Sequence, residues 1–165
     1  MKSKHAIEML LSSIEDPRQG LPEEIFIFIS QVTPLVNVDL LIKDEKNRTL
    51  MTWRDDEYYE PGWHLPGGII RFKEKASDRV KAVAMHELGV KVAFEPTPLA
   101  VNEVIHPTRK PRGHFISLLF RCSLLTPPNE ELCFRSGIPK PGEWYWHSIC
   151  PKDIIAVHKM YQQFI

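Results

Sequence analysis

Apolar positions recur along this chain with two different periods, and the switches between them divide it into elements. Ala6, Met9, Leu10 and Ile14 return at helical spacing, which predicts a helix over about residues 3–15. Asp16-Pro17-Arg18-Gln19-Gly20 breaks it. Pro22 then suits the first turn of a second helix running to about Ser30, with Glu23 and Glu24 near its positive end. Val36 to Ile42 reads as a mostly buried strand, and Asp44-Glu45-Lys46-Asn47 turns it into a partner, Leu50 to Trp53. Tyr58 to Gly62 reads as a loop and Ile69 to Phe72 as a short strand.

A helix is expected from about Ala76 to Leu88, stopped by Gly89 in a left-handed cap. Val90 to Ile105 holds strands interrupted at Pro96 and Pro98, and His106 to Gly113 is a basic, proline-containing loop. His114 to Leu124 is a strong strand, Thr126 to Asn129 a turn, and Trp144-Tyr145-Trp146 an aromatic strand. A last helix opens at Pro151 with Ile154, Val157, Tyr161 and Phe164 on one face. This order predicts an α/β (mixed α+β) fold with a mixed sheet between helices. Residues 1–20 form an N-terminal helical extension and 21–165 the main domain.

Bulk composition narrows the partners. The chain carries 21 basic and 21 acidic side chains, so no global field draws it to nucleic acid or to a membrane, and any phosphate must be held by a local cluster. Cys122, Cys133 and Cys150 are odd in number and widely spaced, which fits neither a disulfide framework nor a zinc site and makes a reducing cytoplasm the default. The longest apolar run, Ile25 to Ile29, is too short to span a bilayer, and the first residues lack a signal-peptide pattern.

The chemistry concentrates in Gly67-Gly68-Ile69-Ile70-Arg71-Phe72-Lys73-Glu74 and the helix after it, which ends Met85-His86-Glu87-Leu88-Gly89-Val90. The helix has Val80, Val83, Ala84 and Leu88 on its apolar face, and Glu87 borders that face. A carboxylate there is costly without a partner, and either a cation or an arginine meets the need. The double glycine lets backbone approach a ligand closely. The element order brings a backbone carbonyl near Glu74 and Glu87, an oxygen set that suits Mg²⁺ or Mn²⁺ completed by water and substrate phosphate.

This stretch resembles the Nudix box: Gly, five residues, Glu, seven residues, then Arg-Glu-aliphatic-any-Glu-Glu-any-Gly-aliphatic. Gly68, Glu74, Ala84, Glu87, Gly89 and Val90 match, while Ala82, Val83 and His86 replace the arginine and two helix glutamates. The pattern is most similar to the GDP-mannose mannosyl hydrolase branch, whose box also lacks helix carboxylates but keeps the glutamate before Leu-Gly. Thr33 to Asp39 resembles the opening strand of those enzymes, and Gly62 to Gly68 their approach to the box. The resemblance implies one divalent cation per site on Glu87 and the Gly67 carbonyl, with Asp39, Arg54 and His106 on the substrate side. It also implies a homodimer. Two departures stand out. Ile69 takes the place of an arginine after the double glycine, with Arg71 two places on. The loop Ile138 to Glu143 lacks the branch's metal-binding glutamine and catalytic histidine.

The resemblance therefore implies a metal-dependent hydrolase of a nucleoside diphosphate linked to another moiety, such as a nucleotide sugar. The alternative is a nucleotide-binding module that has lost catalysis. In the sugar-hydrolase branch, water attacks the anomeric carbon and the cation stabilises the departing nucleoside diphosphate. The general base is open among His86, His106, His114 and Glu143; His86 is equally a weak ligand or an exposed helix residue. Arg54 and Arg71 are the phosphate candidates nearest the box, whereas Thr108 to Arg112 is either a phosphate clamp or a solvated basic turn. Trp53, Trp63 and Phe72 either stack a base or fill core.

Overall fold

The computed structural model describes residues 2–165. Helix α1 (Lys2–Ser12) is followed by the short α2 (Glu23–Ile29), which buries Ile25. Residues 3 to 13 are all exposed, so the apolar face of α1 covers none of the core. Strand β1 (Leu35–Lys43) turns into β2 (Thr49–Asp56) through Asn47, whose φ is 59°. Asp44 closes that turn by accepting from the Lys46 and Arg48 backbone N–H groups at 3.0 and 2.8 Å.

Residues expected to loop between Tyr58 and Gly62 instead pair with β2 as β3 (Tyr59–His64), in the register Thr52↔His64, Trp53↔Trp63 and Arg54↔Gly62. Pro61 and Gly62 are poor strand formers, which is why local propensity pointed to a loop. Edge-to-face contact of Trp53 and Trp63, with centroids 5.3 Å apart, accompanies the pairing. Strand β4 (Gly67–Ile69) ends earlier than expected; Arg71 and Phe72 lie exposed in the following turn, where Lys73 has φ 57°.

Helix α3 (Ala76–Leu88) runs as its periodicity predicts, and Gly89 caps it at φ 67° with its N–H on the Met85 carbonyl. Four strands follow: β5 (Val92–Phe94), β6 (Ala100–Ile105), β7 (His114–Leu124) and β8 (Trp144–His147). The C-terminal helix forms later and tighter than expected, as a 3₁₀ helix over Ala156–Phe164. Residues 153 to 155 are drawn alongside β3 first: Trp63 N–H donates to the Asp153 carbonyl at 2.9 Å, and Ile155 N–H to the Trp63 carbonyl at 3.0 Å.

The strands form one mixed sheet in the order β3-β2-β1-β7-β5, with β4 on β1, β6 on β7 and β8 on β2. Strands β1 and β7 are parallel from Leu35↔Phe115 to Ile42↔Cys122; the other pairs of named strands are antiparallel. Val38, Leu40 and Ile42 of β1 pack with Val80, Val83 and Leu88 of α3, while Leu41 faces Met51, Trp63, Leu119 and Tyr161 on the other side. Burial on both faces explains the unbroken apolar run of β1. Alternation puts Asn37 and Asp39 on the face of Leu41, under the C-terminal segment.

Candidate active site

Gly67 and Gly68 are needed because of what lies against them. A Cβ at Gly68 would press on Val83 Cγ2 at 2.8 Å, so the glycine lets α3 pack directly on β4. A Cβ at Gly67 would collide with the Asp39 carboxylate and sit 3.0 Å from the Val38 carbonyl. Leu40 N–H donates to the Pro66 carbonyl and Ile70 N–H to the Val36 carbonyl. Between them, Gly67 and Asp39 face each other as a non-hydrogen-bonded pair. Both polar backbone groups of Gly67 consequently point away from β1.

Glu87 meets Gly67 on that free edge. Its Oε1 accepts the Gly67 N–H at 2.9 Å, and its Oε2 accepts the Thr52 hydroxyl at 3.2 Å. His64 approaches Oε2 with Nε2 at 3.5 Å, while its Nδ1 lies 2.9 Å from the Thr52 carbonyl. A carbonyl only accepts, so Nδ1 carries the proton and Nε2 is turned to the carboxylate. No arginine pairs with Glu87 among the described residues. The guanidinium pairs instead with Glu74: Arg79 Nε and Nη2 both lie 2.8 Å from its Oε2.

A second polar group lies under the glycines. Asp39 is 2% exposed. Its Oδ2 accepts from Ser117 Oγ and from the Tyr161 hydroxyl at 2.5 Å, and its Oδ1 accepts from Asn37 Nδ2 at 3.1 Å. Burial pushes the Asp39 carboxyl up, against the pull of these donors. The Tyr161 phenol is raised as well, by burial and by the adjacent carboxylate. His158 is held well below the usual imidazole range, chiefly by burial.

An open cleft joins these groups to a cationic wall. Arg54, Arg109, Arg112 and His106 line it together with Asn37, Asp39, His64, Gly67 and His158. Arg54 and Arg109 both approach the ring of Tyr59, their guanidinium carbons 4.6 and 4.7 Å from its centroid. Arg112 stacks on Tyr58 at 4.4 Å, and its Nε is buried without a protein partner. The 106–113 loop is thus folded on itself and onto Tyr58 rather than a solvated turn. His106 Nδ1 accepts the Arg109 N–H at 3.0 Å, His106 N–H donates to the Gly113 carbonyl at 2.7 Å, and Lys110 alone of its cations is exposed.

Of the residues singled out in the sequence, Gly67, Asp39, Arg54 and His106 come together in the cleft, and Glu87 joins through Gly67 and His64. Others lie elsewhere. His86 is exposed on α3, and Arg71 is exposed in the turn after β4. His114 Nε2 reaches Glu103 across the β6–β7 pair at 3.2 Å. Glu143 folds back on the Lys140 N–H at 2.9 Å. Glu74 Oε2 accepts the Arg71 N–H at 2.9 Å besides pairing with Arg79, so that oxygen is engaged within its own loop and helix. Trp53 and Trp63 fill core, and Phe72 is exposed. His64 and His158 were missed. His64 could have been suspected from standing three residues before Gly67; His158 meets Leu65 only through folding, 93 residues apart in sequence.

A mixed sheet with α3 packed across a double-glycine strand, and a carboxylate from the last turn of α3 turned onto that strand, is the Nudix arrangement. The fold is shared with a MutT protein from Methanosarcina mazei, at TM-score 0.60 and 18% identity over 81% of this chain and 94% of that one. It is shared also with a MutT Nudix hydrolase from Burkholderia pseudomallei (TM-score 0.57, 21% identity, 81% and 98% of the two chains) and with a UDP-X diphosphatase (0.58, 15%, 97% and 86%). No protein-family model matches the chain. In sequence it is 31% identical over 114 residues to the low-salt glycan biosynthesis protein Agl8 of Haloferax volcanii, covering 67% of this chain and 72% of that protein. The chain has the Nudix fold and belongs to one family with that haloarchaeal protein.

Proposed function

We propose that this protein is a divalent-cation-dependent hydrolase of a nucleoside diphosphate linked to a second moiety, a nucleotide sugar fitting best. The observation that carries the reading is the convergence of three guanidiniums, Arg54, Arg109 and Arg112, on the cleft that contains Gly67, the residue Glu87 holds. Guanidiniums bind phosphate oxygens bidentately. The relatives support the same substrate class: one structural neighbour is a UDP-X diphosphatase, and the sequence relative is a glycan biosynthesis protein.

The oxygen donors present fit a hard cation. Glu87 and the carbonyl edge of Gly67 would hold Mg²⁺ or Mn²⁺. Among the described residues no three His, Cys, Asp or Glu side chains gather as a cage, which suits one cation that takes water and phosphate for its other ligands. When bound, it would supply neutralising charge for a departing diphosphate. The chain's own groups do the rest: the arginines orient the phosphates, the Thr52 hydroxyl and the Gly67 N–H set the position of the Glu87 carboxylate, and the bare Gly67 backbone admits the ligand to close range.

A second reading, a nucleotide-binding module, is favoured by Ala82, Val83 and His86 in place of the box arginine and glutamates. A panel of nucleotide sugars assayed for sugar and phosphate release with Mg²⁺ and Mn²⁺ separates the two. Turnover lost in Glu87→Gln, with the fold retained, is the expected result. Tight binding without turnover across the panel would establish the module instead, and unchanged turnover and cation affinity in Glu87→Gln would remove Glu87 from the mechanism.

A further inference from the structure

His158 is the histidine no sequence pattern announces, and its hydrogen bonds define what it can do. The Leu65 backbone N–H donates to His158 Nδ1 at 3.0 Å. A nitrogen that accepts carries no proton, so the ring is neutral and its one N–H is at Nε2. Burial to 8% exposure favours the same neutral form. The nearest acidic oxygen to Nε2 is Asp39 Oδ1 at 3.9 Å, beyond hydrogen-bond reach. Donor and acceptor therefore stand apart on the wall of the cleft, and both line it.

Asp39 is set as an acceptor. Ser117, Tyr161 and Asn37 all direct donors at it, and Gly67, with no side chain, leaves its Oδ1 uncovered by a Cβ. Beside it Asn37 spends its amide N–H groups on Asp39 and Ser117, each at 3.1 Å, and its Oδ1 is buried without a partner. The row reads acceptor, acceptor, donor, and an oxygen set beside the His158–Asp39 pair lies within hydrogen-bond reach of both, their separation being 3.9 Å.

We propose that His158 and Asp39 form the subsite for a glycosyl hydroxyl, which accepts from His158 Nε2–H and donates to Asp39 Oδ1. A hydroxyl is the group that does both at once. A phosphate is turned away by the Asp39 carboxylate and drawn to the arginines that also line the cleft. A nucleobase wants an aromatic face, and the cleft's Tyr59 is already approached by two guanidiniums. The inference rests on the nucleoside-diphosphate reading and sharpens it: the ligand enters with phosphates on the arginines and sugar over Asp39 and His158. His158 is then a specificity residue.

His158→Asn is the discriminating variant. Its Oδ1 replaces Nδ1 as acceptor for the Leu65 N–H, while the donor at Nε2 disappears. Calorimetric titration of the intact protein with GDP, GDP-mannose, UDP and UDP-glucose, in Mg²⁺, reads the effect without needing turnover. The wild type should bind at least one sugar nucleotide more tightly than its diphosphate. His158→Asn should lose about five- to tenfold in that affinity and leave the diphosphate unchanged. Equal weakening of both ligands, or of neither, would overturn the subsite while leaving the nucleotide reading intact. A wild type that binds none of the four overturns the nucleotide reading and the subsite with it. If His158→Asn does not fold, His158→Gln, which keeps a donor near the Nε2 position, must retain the preference for the sugar nucleotide; its loss there counts against the subsite.

Discussion

Glu74 and Arg79 form a two-point pair, with Nε and Nη2 of the arginine both 2.8 Å from one carboxylate oxygen. Position 82, where the Nudix box places its arginine, is Ala82 here, and Arg79 stands three residues earlier on the same helical face. The guanidinium has moved by one turn. Glu74 is thereby tied to α3 and also accepts the Arg71 N–H, which closes the turn after β4.

Arg79→Met should therefore cost about 2 kcal/mol, between the values for surface and fully buried pairs. Adding Ala82→Arg in that background should recover part of the loss. Urea denaturation midpoints of the single and double variants check both expectations.

Gly67→Ala tests the close approach of β4 to β1. Its Cβ would push on the Asp39 carboxylate and the Val38 carbonyl, both on a buried strand. The expected cost is about 1–3 kcal/mol of stability, as for other overpacked sites. A chemical denaturation curve measures it, and unchanged stability would mean that β4 shifts outward without penalty.

Arg109→Ala removes a cation–π contact with Tyr59 and a donor to the Tyr58 carbonyl at 2.5 Å. Nucleoside diphosphate affinity should fall by roughly tenfold, the value of one charge-assisted contact. The salt dependence of binding should become shallower in the variant. Calorimetry at two ionic strengths reads both.

His147 should make stability depend on pH below neutrality. Burial lowers its pKa from 6.5 to about 4, and its Nε2 is buried without a partner among the edges of Trp63 and Tyr145. Between those values the unfolded chain binds a proton that the folded one does not, so stability falls as pH drops from 6.5 towards 4. His147→Phe should flatten that part of the thermal-midpoint profile and leave the pH 8 midpoint equal or higher.

Helix α1 keeps Ile7, Met9 and Leu11 in solvent at 56%, 61% and 63% exposure. Deleting residues 1–20 should leave the thermal midpoint of the domain unchanged. If the exposed face serves pairing of two copies, the same deletion should convert a dimer to a monomer in analytical ultracentrifugation.

Helix α3 was legible because its apolar spacing and the Gly89 stop are local, and so was the β1–β2 hairpin with its Asp44 turn. Strand β3 was not, because Pro61 and Gly62 argue for a loop and only the Trp53–Trp63 contact and the β2 register overrule them. The C-terminal 3₁₀ helix escaped for a similar reason: residues 153 to 155 bond to β3 before helix can start. In the site, Gly67 and Glu87 could be paired on paper since a known spacing joins them. The role of the 106–113 loop stayed open, since a basic loop looks the same in sequence whether it faces water or folds onto Tyr58 and Tyr59.

The sequence by itself determined the frame: a double-glycine strand, a helix with one carboxylate at the edge of its apolar face, and a box short of its other acids. Tertiary structure decided which partners those groups have. Glu87 took a backbone N–H and a hydroxyl in place of an arginine, and Asp39 met Ser117 and Tyr161 from a strand and a 3₁₀ helix far along the chain. Helical and strand periods are set by neighbours a few residues apart and can be read directly. The partner of a buried polar group is set by which elements the sheet brings face to face, and that is known only once the chain has folded.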